Sequence, residues 1–187
     1  MGRSAAIALL LAIELFDELV FGVQVAAWPV IRDDFLLTYV QIGLLISLPG
    51  IVSAFVEPLI GFAGDTNARR KLVIGGGVIY VAALVAIATG NSFVILLISL
   101  VALYPASGAF VSLSQASLMD LAPDDRERNL ARWTLMGSVG NVAGPLILGL
   151  VLFVGTSWRS AFVGLSILGT VLISNARSFP PRSTPEE

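Results

Sequence analysis

Three carboxylic acids stand close together in the first hydrophobic stretch of the chain: Glu14, Asp17 and Glu18. Spaced at i, i+3 and i+4, they project from one face of a helix. An acid near the bilayer centre costs about 2.5–3.5 kcal/mol on insertion scales, so an ionised trio cannot face lipid; it must look into a helix bundle or toward water. Carboxyl groups crowded into a low dielectric are what a proton carrier or a cation site requires. Gln24 and Trp28 extend the same stripe, and Glu57 in the second hydrophobic stretch is expected to be a fourth buried acid. Tyr104, Ser107, Ser112 and Gln115 in the fourth stretch, with Asn141 in the fifth, offer neutral hydrogen-bonding groups to the same cavity. A structural reading competes with this one. In it Glu14 is hydrated near an interface, Asp17 or Glu18 caps a packing contact, Ser107 is a close-packing residue, and Phe21, Trp28 and Tyr104 are packing or interfacial aromatics.

The elements that must position these groups are membrane helices. The chain has 187 residues, 56% of them apolar and 13% charged, with a mean hydropathy of +0.89. No water-soluble domain of this length needs so much apolar surface. Hydropathy predicts six spans, at Ser4–Ile31, Tyr39–Gly64, Leu72–Gly90, Phe93–Met119, Leu130–Val154 and Ser160–Ala176. About 20 helical residues cross the hydrocarbon layer of about 30 Å, so the last span is marginal and the longer ones tilt or project. Pro49, Pro58, Pro105 and Pro145 predict kinks, because neighbouring helices can satisfy the backbone groups that proline frees. Residues 1–176 are therefore expected to form an all-α membrane domain of six transmembrane helices, and 177–187 a cytoplasmic tail or the start of a central linker. The first stretch continues to Val30 with no small-residue cleavage site, which argues for a retained span over a signal peptide.

Basic residues set the orientation. With the amino terminus inside, nine of the 11 basic residues are cytoplasmic (Arg3, Arg69, Arg70, Lys71, Arg126, Arg128, Arg132, Arg177 and Arg182), and only Arg32 and Arg159 lie outside. Both termini are accordingly expected in the cytoplasm, and the membrane to be a bacterial cytoplasmic one.

Composition also removes function classes. Without cysteine or histidine there are no disulfides, thiolate or imidazole metal sites, or Cys/His nucleophilic dyads. A net charge of −2, scattered along the chain, does not suit nucleic-acid binding. Lys71, the single lysine, sits at the edge of a span, which argues against a retinal Schiff base. No phosphate-binding loop occurs, so ATP drive would need another subunit. No cofactor is expected.

The second half of the chain carries faint echoes of the first. Pro58-Leu59-Ile60 with Gly61 parallels Pro145-Leu146-Ile147 with Gly149, and Arg69 and Arg159 each open the following span. Three-plus-three inverted repeats leave such traces in secondary transporters. The loop between spans two and three, Gly61 to Lys71, holds Gly61, Asp65, Arg69 and Arg70. It resembles the signature loop of the major facilitator superfamily, in which a glycine, an aspartate four residues on and a basic pair recur. Thr66 and Ala68 depart from that pattern, standing where the family usually has a basic residue and a glycine. Its physical reading is a gating latch, in which Asp65 pairs with basic groups or a facing helix terminus. Gly140, Gly144, Pro145 and Gly149 in span five are similar to the glycine-proline motif of proton-coupled antiporters in the same superfamily, with Leu148 in place of a glycine. Their spacing equally suits a small-residue packing face with a proline bend. Leu121 to Arg126 after span four, and Trp158-Arg159-Ser160-Ala161-Phe162 opening span six, add to the resemblance. Tyr104 stands where proton-coupled members commonly carry an arginine.

The resemblance implies the amino-terminal six-helix half of a major facilitator fold. It implies a secondary active transporter, not an enzyme, moving a small organic solute by alternating access, coupled to protons, with export the favoured direction. The alternative is a membrane scaffold or assembly protein that keeps six helices without transport. Consecutive Asp17 and Glu18 diverge around the helix, which is poor geometry for an intramembrane protease dyad. Superfamily members usually have two six-helix halves around one cavity, so the expected partners are the lipid bilayer, a solute, protons and a second half. That half comes either from a longer gene, which the proline-rich tail favours, or from a dimer.

Overall fold

Apolar runs of this length leave the backbone one way to satisfy its N–H and C=O groups within lipid, which is to coil each run on itself. The computed structural model describes residues 2–176, and within them the chain does so in six long helices. These are α1 (Arg3–Phe35), α2 (Tyr39–Gly64), α3 (Arg69–Thr89), α4 (Phe93–Leu121), α5 (Arg126–Phe153) and α6 (Trp158–Ala176). Five of them, α2 to α6, are long and apolar enough to cross a membrane. Helix α1 has 33 residues but carries the three carboxylates, so its place in lipid depends on where those groups point. The expected tail, with Arg177 and Arg182, lies outside the described residues.

The helices outrun the hydropathy boundaries. Helix α3 begins at Arg69 instead of Leu72, and α5 at Arg126 instead of Leu130. Hydropathy marks the hydrocarbon crossing, whereas backbone pairing continues into the polar layers. The expected loop from Gly61 to Lys71 shrinks for the same reason: α2 runs through Gly61 to Gly64, residues 65–68 make the turn, and Arg69 and Arg70 are already helical. At the opposite end α1 stops at Leu36, which takes a left-handed conformation (φ 52°). Thr38 then opens α2 with a capping box, accepting from the Gln41 N–H at 3.3 Å while the Gln41 side chain accepts from the Thr38 N–H at 2.9 Å.

Helix α4 contains the main irregularity. After Pro105 its backbone widens into a π turn, Gly108–Ser112, and returns to α geometry over Leu113–Leu121. Proline withholds one backbone donor, and π turns inside α-helices are frequent at functional sites.

Helix α1 lies against α5 and α6, α3 against α4 and α6, and α2 against α4. The α1–α5 crossing is nearly backbone to backbone. A Cβ at Gly144 would sit 2.6 Å from the Val23 nitrogen, and one at Gly140 2.5 Å from the Leu15 carbonyl oxygen. Gly22 of α1 is equally tight, with the Asn141 carbonyl 2.7 Å from where its Cβ would be. The packing face expected at Gly140 and Gly144 is therefore present. Gly149, grouped with them in the sequence, corrects that expectation: it is exposed, with nothing within 4 Å of a Cβ, because it lies off the buried face of α5 that Gly137, Gly140, Gly144 and Leu148 form. Pro145 touches Gly22 through its Cδ and is otherwise exposed.

Candidate functional site

The carboxylates of α1 point toward the other helices, Asp17 toward α3 and α4, and Glu14 and Glu18 toward α5. Asp17 reaches α3 and α4. Its Oδ1 accepts from the Tyr80 hydroxyl at 2.8 Å and from the Ser107 hydroxyl at 2.9 Å. Glu18 reaches α5, where Asn141 Nδ2 donates to its Oε2 at 3.0 Å. Glu14 is buried beside Gly137 of α5, whose missing side chain makes room for it: a Cβ there would lie 2.7 Å from Glu14 Oε1. A hydrated interfacial Glu14 is thus replaced by a buried one. Further along the stripe Gln24, also buried, donates from Nε2 to the Tyr104 hydroxyl at 3.3 Å. Of the sequence-predicted set, the structure thus brings Glu18 to Asn141 and Gln24 to Tyr104, with Glu14 and Asp17 beside Glu18 on α1.

Three other predicted members stand apart. Glu57 is exposed, which corrects the expectation of a fourth buried acid. Helix α2 packs chiefly on α4, and Glu57 sits at the edge of that contact, where it stays exposed. Its Oε1 accepts from the buried Ser53 hydroxyl at 2.5 Å, and its side chain lies against Gly108 at the start of the π turn. Gln115 is half-buried beyond the π turn, and Ser112 is exposed.

Tyr80 is the member that reading by acids overlooked. It is the one aromatic residue of α3, and it is 2% exposed. Its ring packs between Phe16 (centroids 5.6 Å apart) and Phe110 (6.2 Å). A lone tyrosine in an otherwise apolar span was the available signal, since a buried hydroxyl needs a partner.

Both ends of the bundle are held by arginine. At the start of α3, buried Arg69 uses its whole guanidinium fork: Nε donates to the Gly64 carbonyl at 2.7 Å, Nη1 to Asp120 at 2.5 Å, and Nη2 to Asp65 at 3.4 Å. Asp65 thus meets Arg69 of the basic pair, and Asp120 of α4 is the closer acid. At the other end Arg159, opening α6, pairs with Asp34 at the end of α1 and donates to the Gly90 carbonyl at 3.2 Å. Trp158 Nε1 donates to the same Asp34 oxygen at 3.2 Å. The guanidinium stacks over the Trp158 ring, 4.4 Å from its centroid. The Arg159 hydrogen bond holds the Asp34 carboxyl below the usual aspartate range.

Comparison with known proteins gives the family and the fold. The family described as the Major Facilitator Superfamily matches residues 10–187. An uncharacterized MFS-type transporter of Bacillus subtilis (strain 168), YtbD, is 25% identical over 162 residues, which is 86% of this chain and 41% of YtbD. A crystal structure of a bacterial homologue of the human lysosomal transporter Spinster, inward-facing and unoccupied, superposes with a TM-score of 0.81 at 21% identity. It covers 99% of this chain and 45% of that one, a likeness of fold. The chain thus spans under half the length of these relatives. On the family match, which takes in nearly its whole length, the chain belongs to the Major Facilitator Superfamily.

Proposed function

We propose that this chain is one six-helix half of a secondary active transporter that moves a small organic solute by alternating access, coupled to protons taken up at Asp17. The observation that carries the reading is the setting of Asp17, a carboxyl group inside a membrane helix bonded to hydroxyls of two other helices. A buried ionisable group in a membrane bundle is by default a functional group. Glu14 and Glu18 share its face, and the neutral groups Gln24, Tyr104 and Asn141 supply solute hydrogen bonding. Glu57 and Asn141 are exposed on α2 and α5. In this reading they face a second six-helix half, as the length of the relatives suggests, and Gln115 joins the same path. Export remains the favoured direction on the Gly140–Pro145 motif.

A three-plus-three inverted repeat is part of the proposal, with residues 1–176 as the membrane domain and 177–187 as the start of a linker. The two arginine clamps support it. Exchanging α1–α3 with α4–α6 carries the Arg69 (α3)–Asp120 (α4) pair onto the Arg159 (α6)–Asp34 (α1) pair at the opposite end. The cytoplasmic clamp, with Asp65 and Arg70, is then the gate that rearranges as the halves rock.

The test is reconstitution in liposomes with an entrapped pH dye, challenged with a panel of small organic solutes. At least one solute is expected to trigger proton movement, Asp17→Asn to abolish it, and Glu57→Gln to weaken it. Solute flux without proton movement, or proton movement unchanged in Asp17→Asn, would sink the coupling; no response from a chain that is monomeric in mild detergent would mean that the second half is missing, and no response from a dimer would favour a scaffold.

A further inference from the structure

We infer that Tyr80 and Ser107 are positioning residues that fix the Asp17 carboxyl group and bias it toward the ionised form; the inference rests on Asp17 being the protonation site. Both hydroxyls donate to one oxygen, Oδ1, at 2.8 and 2.9 Å. Two donors fill the two lone pairs of that oxygen. The proton that Asp17 takes up therefore goes to Oδ2. A hydroxyl bonds an ionised acceptor about twice as strongly as a neutral one, so the pair opposes proton uptake and releases part of its grip when the proton arrives.

The fold is built to deliver these two donors. Gly76 and Gly77 let α3 approach the π turn closely: a Cβ at Gly76 would meet Ala109 Cβ at 2.6 Å and the Phe110 nitrogen at 3.0 Å. Tyr80 follows one turn later on the same face of α3. Ser107 immediately precedes the π turn, whose extra residue resets the helix face that α4 presents. The hydrogen bonds thereby tie α1 to α3 and α4 at a point where α4 departs from regular geometry. The protonation state of Asp17 sets how strongly those helices are joined.

Other ionisable groups around Asp17 are few. On α1 they are Glu14 and Glu18; α3 contributes Tyr80 and α4 contributes Tyr104 through its bond with Gln24. Helix α5 presents neutral Asn141 to Glu18, and the charged residue of α6, Arg159, is bound to Asp34 at the outer end. Glu57 of α2 is bonded to Ser53. No arginine or lysine among these partners adds to the pull of the two hydroxyls toward the ionised form.

Infrared spectroscopy of the purified chain in lipid nanodiscs, titrated over the range where it stays folded, reads this without any solute. The protonated-carboxyl band that Asp17→Asn removes is the Asp17 signal. Tyr80→Phe keeps the ring between Phe16 and Phe110 while deleting the hydroxyl. It is expected to move the midpoint of that signal to higher pH, by about tenfold in proton affinity. Ser107→Ala is expected to shift it the same way and to decide the matter should Tyr80→Phe fold poorly. A midpoint unmoved in both variants, with the Asp17 band present, overturns the positioning role and leaves Asp17 as the protonation site. A band unaffected by Asp17→Asn at every pH overturns that prior reading, and this inference with it.

Discussion

Arg69, in the first turn of α3, holds Asp120, in the last turn of α4, through an Nη1–Oδ2 contact of 2.5 Å. The same guanidinium reaches the Gly64 carbonyl and Asp65, so one buried side chain joins the ends of three helices. Lysine has the charge but not the planar fork. Arg69→Lys is expected to lower stability by about 1–3 kcal/mol through lost charge-assisted bonds, seen as a lower melting temperature in mild detergent. An unchanged melt would mean that the fork is not what joins these helices.

The crossing of α1 with α5 predicts a contrast between two glycines of one helix. A methyl group at Gly144 lands within 2.6 Å of the Val23 backbone nitrogen, and backbone cannot step aside as a side chain can. Gly144→Ala should cost about 1–3 kcal/mol by overpacking. Gly149→Ala, in open space, should stay within about 0.5 kcal/mol of the parent. Equal losses in paired thermal melts would contradict the crossing geometry.

Much of this was legible in the chain, and what was not has a physical reason. Acids at Glu14, Asp17 and Glu18 announce an inward face because lipid forbids the alternative, and spacing alone puts them together. Their separate partners were beyond reach, since Asn141 and Tyr80 are chosen by which helices cross. Asp120 was hidden likewise: it lies 51 residues from Arg69, and the charge pattern of the loop suggested only Asp65. The expectation for Glu57 failed for a different reason. An acid in an apolar run suggests burial within the chain, whereas Glu57 sits at the edge of the α2–α4 contact, against Gly108, and stays exposed. Gly149 shows the limit of motif reading, because it stands one residue past Leu148 and so falls off the face of α5 that is buried.

Asp34 makes the clamp with Arg159 sensitive to pH. Its carboxyl lies below the usual aspartate range in the folded chain, chiefly because Arg159 donates to it. A depressed carboxyl contributes stability that is complete above its unfolded value of about 3.9 and is lost as the pH falls through the lower folded value. Both side chains are partly exposed, 31% and 42%, so solvent screening holds the contribution to about 1 kcal/mol or less. Asp34→Asn should therefore melt slightly below the parent at neutral pH, and the gap should close below about pH 4. A gap that persists in strong acid would locate the effect in packing against Trp158 instead of in charge.

The last prediction fixes which end of the bundle faces the cytoplasm. The turn at residues 65–68 lies at the end that holds Arg69, Arg70 and Lys71 and, through the Arg69–Asp120 contact, the end of α4 followed by Arg126 and Arg128. The opposite end holds Arg32 and Arg159, with Asp33 and Asp34 beside them. Loops rich in arginine and lysine stay on the cytoplasmic side, so residues 65–68 should be inside and residues 36–38 outside. The chain has no cysteine, which makes a single introduced thiol an unambiguous reporter. Asn67 is exposed in the first turn, and Leu36 is 87% exposed in the second. A membrane-impermeant maleimide added to intact cells should label Leu36→Cys and spare Asn67→Cys, and in inside-out vesicles the preference should reverse. Labelling of Asn67→Cys from outside intact cells would invert the topology and place the Arg69–Asp120 clamp at the external gate.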